Sequence, residues 1–189
     1  MWSCETFDLK PDIITCAKAL SSAYLPISGV LISEPIAEAI YANSAKVGTF
    51  GHGYTYTGHP VSAAVALETL KIYEERDTIG HVRRVAPTLQ NGLRRFADHP
   101  LVGEVRGIGL IGAVELVRDK ATKENFDPGQ KVGPYLADRA MDHGLVVRAL
   151  GGDAIAFSPP LIITEEEIEM MVERFGKALE DTAEWLATQ

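Results

Sequence analysis

The sequence predicts an α/β chain. Three features carry that expectation: short runs rich in β-branched and apolar residues, longer stretches with apolar residues at helical spacing, and Gly, Pro or Asp turn chemistry where one gives way to the other. At 189 residues the chain has room for one ordinary domain or two small ones. With 46% hydrophobic and 23% charged residues, and 17 Gly and 10 Pro scattered along it, it should bury a core. The same composition excludes collagen-like, disordered and coiled-coil classes.

Taken in order, residues 1–10 (MWSCETFDLK) open with neither a helix cap nor a periodic run, although Met1, Trp2 and Phe7 prefer burial. The start reads like the middle of something larger. Residues 12–17 (DIITCA) and 29–32 (GVLI) fit strands buried on both faces, with Lys18 directly after the first. Ser21, Ser22, Ala23 and Pro26 mark an irregular connection, residues 34–42 a short helix, and the glycine-rich 48–58 (GTFGHGYTYTG) a loop. Pro60 suits a first helical turn, and Val61, Val65, Leu67, Leu70 and Ile72 carry that helix to about Arg76. Composition changes near residues 76–78, which predicts a boundary between a region of residues 1–76 and one of residues 77–189.

Beyond it, residues 77–97 are helical with Pro87 placed to kink or divide them. Residues 101–117 (LVGEVRGIGLIGAVELV) read as two strands meeting near Gly107 to Gly109, and residues 118–129 are polar, ending in Asp-Pro-Gly turn chemistry. A helix over residues 131–143 closes at Gly144, and LVVRAL and AIAFSPPL pair as strands joined through Gly151, Gly152 and Asp153. Thr164 and Glu167 form a capping box before Ile168, Met171, Val172, Phe175, Leu179 and Leu186 repeat at helical spacing.

Charge and motifs narrow the function classes. With 18 Lys and Arg against 26 Asp and Glu the chain carries −8, the wrong sign for a phosphate backbone, so nucleic acid is not an expected partner. The two cysteines, the lack of a signal-peptide pattern at the start, and the lack of an apolar run of about eighteen residues predict no membrane partner and a cytoplasmic location with reduced thiols. Residues 107–112 (GIGLIG) are a formal GxGxxG, but a strand (AVELV) follows rather than a helix whose N-terminus would meet a pyrophosphate, so the glycines read as those of a bent hairpin. His52 and His59 flank the glycine-rich loop without a third ligand at metal spacing, and Ser62 and Ser158 lack a nucleophile-elbow context. Lys18 differs: a single lysine at an apolar strand end with no acidic neighbour in sequence. Burial there would penalise the ammonium and favour the neutral amine that condenses with a carbonyl to give a Schiff base. The alternative is a lysine snorkelling out of a strand end.

Four blocks in order carry a family resemblance. ITCAKALSSAYLPISGVLIS resembles the lysine segment of the class III (omega) aminotransferases, pyridoxal-phosphate enzymes of fold type I. GTFGHGYTYTGHPVSAAVALETL resembles their HG-aromatic-T loop and following helix, GEVRGIGLIGAVEL their small-domain hairpin, and VVRALGGDAIAFSPPL their substrate-arginine segment. The resemblance implies the C-terminal part of a fold type I transferase: the end of the large-domain sheet (residues 1–76) plus the small α/β domain (residues 77–189). It implies pyridoxal 5'-phosphate as cofactor, held by Lys18, which also moves the proton between substrate and cofactor carbons. It implies that Thr55 reaches the cofactor phosphate of the neighbouring subunit of a homodimer; read locally, Thr55 would instead cap a helix. Arg148 matches the mobile arginine that pairs with a substrate carboxylate, and read locally is a surface arginine on a strand.

By the same resemblance, the carboxylate for the pyridine nitrogen, the ring-stacking aromatic and the phosphate loop would all precede Met1. The expectation is therefore a portion of an aminotransferase that moves an amino group between an amine or omega-amino acid and a keto acid such as pyruvate, weakly active or inactive alone. The other expectations are a non-catalytic remnant that binds another polypeptide, and a same-fold aminomutase or decarboxylase that keeps Lys18.

Overall fold

Two antiparallel sheets, one in each of two compact units, organise the computed structural model, which describes residues 2–189. The first unit ends at Ile79 and the second begins at Gly80. In the first, α1 (Ser3–Thr6) precedes β1 (Ile13–Cys16), a 3-10 turn (Lys18–Ser21), β2 (Gly29–Ile32), α2 (Glu34–Val47) and α3 (Pro60–Glu75). The strands pair antiparallel, Ile13 opposite Ile32 and Cys16 opposite Gly29, and the Ser33 hydroxyl donates to Asp12 Oδ1 at 3.0 Å to close the open end.

Burial of these strands on both faces is not what the structure holds. Ile13, Val30, Leu31 and Ile32 are all exposed, because two strands cannot enclose an apolar face and α2, also without a buried residue, does not cover them. α2 runs five residues past the expected end at 42, reaching Val47 before Gly48 turns the chain with φ 95°. The glycine-rich segment is a loop, closed by the turn in which Thr57 N–H bonds the Tyr54 carbonyl.

The second unit has its own core. α4 (Thr78–Arg94), which starts just before the boundary, is followed by β3 (Val102–Ile108), β4 (Ile111–Leu116), α5 (Val132–Asp142), β5 (Arg148–Leu150), β6 (Ala154–Phe157) and α6 (Glu165–Ala187). The sheet order is β3-β4-β6-β5 throughout antiparallel. On one face Val114, Leu116, Ile155 and Phe157 meet Val85, Leu89 and Leu93 of α4, Leu136 of α5, and Ile168, Val172, Phe175 and Leu179 of α6. Phe175 sits fully buried between Phe96 and Phe157, with ring centroids 5.1 and 5.0 Å away in edge-to-face contact.

Pro87 does not divide α4. It lies on the exposed side of the helix, as does Arg83, so the carbonyl left without its helical donor faces water, while Val85 and Leu89 hold the other side in the core. GIGLIG is the β3–β4 hairpin: Gly107 faces Gly112, Ile108 faces Ile111, and the turn places Gly109 at φ 57°. The capping box of α6 forms as read, with Thr164 N–H donating to Glu167 at 2.9 Å and Glu167 N–H to Thr164 Oγ1 at 3.2 Å.

Candidate active site

Lys18 is the first residue of the 3-10 turn that leaves β1, and its backbone is left-handed at φ 53°. Ser22 and Ala23, at φ 49° and 60°, share that conformation, so three non-glycine residues within six hold a geometry that costs each about 1–2 kcal/mol. Such strain persists where surrounding bonds over-determine it and clusters at functional sites. The expectation that Lys18 is kept dry is corrected: its side chain is exposed. Among the described residues it makes no ion pair, which leaves a reachable, uncommitted primary amine.

Thr55 lies in the turn between Tyr54 and Gly58, exposed, with no side-chain hydrogen bond among the described residues. It does not cap a helix: the residue flanking α3 is His59, so that alternative is set aside. The loop is stiffened by aromatic contacts instead, with Phe50 and His52 centroids 5.8 Å apart and His52 and Tyr54 at 5.9 Å. Lys18 and Thr55 are brought into one unit; Arg148 lies in the other.

Arg148 begins β5 and pairs with Ala156 of β6, which pairs with Ala113 of β4, which pairs with Arg106 of β3. The two arginines thus share the sheet face turned away from the core, separated by two alanines. Their electrostatic states differ. Arg106 is neutralised by Glu115 at 2.5 Å and Glu104 at 3.3 Å, and the hydrogen bond to Glu115 holds its guanidinium more firmly protonated than usual. Arg148 is exposed and has no carboxylate partner among the described residues, so it is the arginine of this face free to take an external anion. It borders a groove of about 820 Å³ whose wall includes Val146, Pro159, Ile162, Met170 and Arg174.

A pyridoxal cofactor asks of a chain a primary amine for its aldehyde and donors for its phosphate. Lys18 and the unengaged Thr55 hydroxyl fit those two demands. Sequence reading did not reach Tyr73, whose hydroxyl donates to the Ala19 carbonyl at 2.9 Å inside the lysine turn. Nothing local marks it, since it sits in an ordinary helical stretch far along the chain.

Comparison with known proteins agrees with the four-block resemblance. The family model "Aminotransferase class-III" matches residues 1–179. The chain belongs to the class III aminotransferases. Gamma aminobutyrate transaminase 3, chloroplastic, of Solanum lycopersicum is 49% identical over 182 residues, 96% of this chain and 35% of that protein. Probable gamma-aminobutyrate transaminase 4 of Oryza sativa subsp. japonica is 48% identical over 188 residues, covering 99% and 39%. A crystal structure of the omega transaminase from Pseudomonas jessenii in complex with PMP superposes with a TM-score of 0.92 at 49% identity, covering 99% of this chain and 41% of that one. This aminotransferase chain therefore spans between a third and a half of the length of such relatives, and its mixed α/β fold matches part of theirs. No helix among the described residues is long and apolar enough to cross a membrane.

Proposed function

We propose that the chain is the C-terminal portion of a pyridoxal-phosphate-dependent aminotransferase, acting as a homodimer on an amine or omega-amino acid and a keto acid such as pyruvate. Relatives named for gamma-aminobutyrate support an omega-amino acid as donor. A reducing compartment, the cytoplasm foremost, suits Cys4 and Cys16, both free thiols. The observation that carries the reading is Lys18: an exposed, uncommitted amine on a strained left-handed backbone, inside a stretch matched to the family over residues 1–179.

Pyridoxal phosphate, when bound, supplies the electron sink that lets an amino group leave one carbon skeleton and join another. Lys18 would hold it through Nζ, and the same Nζ would carry the proton between the substrate carbon and the cofactor carbon. The Thr55 hydroxyl would donate to a phosphate oxygen of the neighbouring subunit's cofactor. The Arg148 guanidinium would donate two parallel N–H bonds to a substrate carboxylate, and swing away for an apolar amine.

The chain mixed with pyridoxal phosphate, reduced with borohydride and mapped by peptide mass spectrometry should carry the label at Lys18, and Lys18→Ala should lose it. Label confined to other lysines would sink the assignment. Amine-to-pyruvate turnover by this chain alone would overturn the claim that the rest of the enzyme supplies essential groups. A second reading, a non-catalytic module that binds another polypeptide, is favoured by the exposed Ile13, Val30, Leu31 and Ile32. It gains if Lys18 stays unlabelled.

A further inference from the structure

The lysine turn carries more strain than its local bonds explain. Ala23 N–H bonds the Lys18 carbonyl at 3.2 Å, Ser22 N–H bonds the Ala19 carbonyl at 3.2 Å, and Ser21, 1% exposed, donates its hydroxyl to the Leu25 carbonyl at 2.6 Å. These bonds lie within the turn, and a short isolated turn does not hold left-handed non-glycine residues for long. The tie to a second element is Tyr73, whose hydroxyl reaches from α3 to the Ala19 carbonyl at 2.9 Å, across 54 positions of sequence.

Tyr73 lies near the end of α3, a helix of 16 residues, and is half-buried, with its hydroxyl presented to the turn. Ala19 is the residue directly after Lys18. Holding its carbonyl fixes the Ala19–Leu20 peptide plane, one residue beyond Lys18, and so restrains the turn from which the lysine side chain starts.

We propose that Tyr73 is a positioning residue for Lys18: its hydroxyl pins the Ala19 carbonyl, keeps the left-handed turn closed, and so presents Nζ in one orientation. This rests on the assignment of Lys18 above. The phenol takes no part in proton transfer; it acts through the backbone. Losing one neutral hydrogen bond of about 1 kcal/mol corresponds to roughly five-fold in the closed-to-open ratio of the turn.

The test uses the whole chain, pyridoxal 5'-phosphate as the probe, and Tyr73→Phe, which keeps the ring and removes the hydroxyl. Two readouts separate positioning from general stability: borohydride labelling of Lys18 relative to the exposed Lys10 and Lys46 of the same chain, and the visible circular dichroism of the bound probe, which needs one fixed orientation. Tyr73→Phe should keep the far-ultraviolet spectrum, shift the melting midpoint by no more than about a few degrees, lower the Lys18 labelling ratio about five-fold, and lose most of the induced ellipticity per label. An unchanged ratio and ellipticity would overturn the role of Tyr73 while leaving Lys18 assigned. If the unmutated chain labels Lys18 no better than Lys10 and Lys46, the functional reading itself falls. The brace is then read from trypsin cleavage after Lys18: faster cleavage in Tyr73→Phe supports it, and an unchanged rate overturns it.

Discussion

Replacing Gly107 with alanine decides whether the glycines of GIGLIG serve a hairpin or a ligand. A Cβ at Gly107 would lie 2.4 Å from the Ile111 carbonyl oxygen and 2.8 and 2.9 Å from the side-chain amide of Gln90, where real Cβ atoms do not come within 3.0 Å. The first neighbour is backbone of the paired strand, so β3 and β4 must separate by roughly half an ångström, at the cost of about 1–3 kcal/mol typical of overpacking. Gln90 cannot simply swing away, because its Nε2 donates to the Gly109 carbonyl at 2.9 Å and the Ile111 carbonyl at 3.0 Å. Each of those bonds adds about 1 kcal/mol to what is lost. The expected destabilisation is about 3–5 kcal/mol, against the roughly 5–15 kcal/mol that holds a domain together. Urea unfolding read by Trp185 fluorescence in a Trp2→Phe background measures it, since Trp185 stacks on Tyr135 at 4.1 Å inside the second unit. A change below about 1 kcal/mol would refute the hairpin argument, and a phosphate loop would instead show intact stability with lost nucleotide binding.

Three further outcomes follow from the same geometry. Phe175→Ala should cost about 3–5 kcal/mol in the same urea assay, since it empties the space between Phe96 and Phe157 and removes both edge-to-face contacts. Arg148→Ala in the complete enzyme should lower kcat/KM for keto acids by about ten- to a hundred-fold, the worth of a charge-assisted bond, and leave aryl amines nearly unaffected; steady-state kinetics on both substrates reads it. His99 is held below its ordinary value of 6.5, first by burial, with Lys120 adding to this and Glu180 opposing it. Its folded form thus binds fewer protons than the unfolded chain, so this contribution is intact above pH 6.5 and is lost as pH falls through the lowered folded value. The urea midpoint of His99→Gln should fall less on acidification than that of the unmutated chain.

The sequence by itself determined the elements of the second unit closely, because there periodicity and burial are one signal. Ile168, Val172, Phe175 and Leu179 repeat at helical spacing since one face of α6 meets the sheet, and Thr164 with Glu167 marks its start through bonds only three residues apart. The GIGLIG hairpin was legible for the same reason: the strand after the glycines is local information. Lys18, Thr55 and Arg148 were also named from residues in order, though what each does was implied by family resemblance rather than by spacing. What the chain alone does not announce is set by the third dimension. β1 and β2 have the apolar composition of buried strands, yet composition does not say what will cover them, and in this structure they pair with each other and stay exposed. Which arginine of the outer sheet face is neutralised depends on the cross-strand register: both face an alanine directly, but it sets Glu115 diagonally across from Arg106 within ion-pair reach, and no described carboxylate pairs with Arg148. The Tyr73 hydroxyl on the Ala19 carbonyl is a contact between residues 54 positions apart, and no periodicity carries it, because a long-range hydrogen bond leaves no local pattern in the residues that make it.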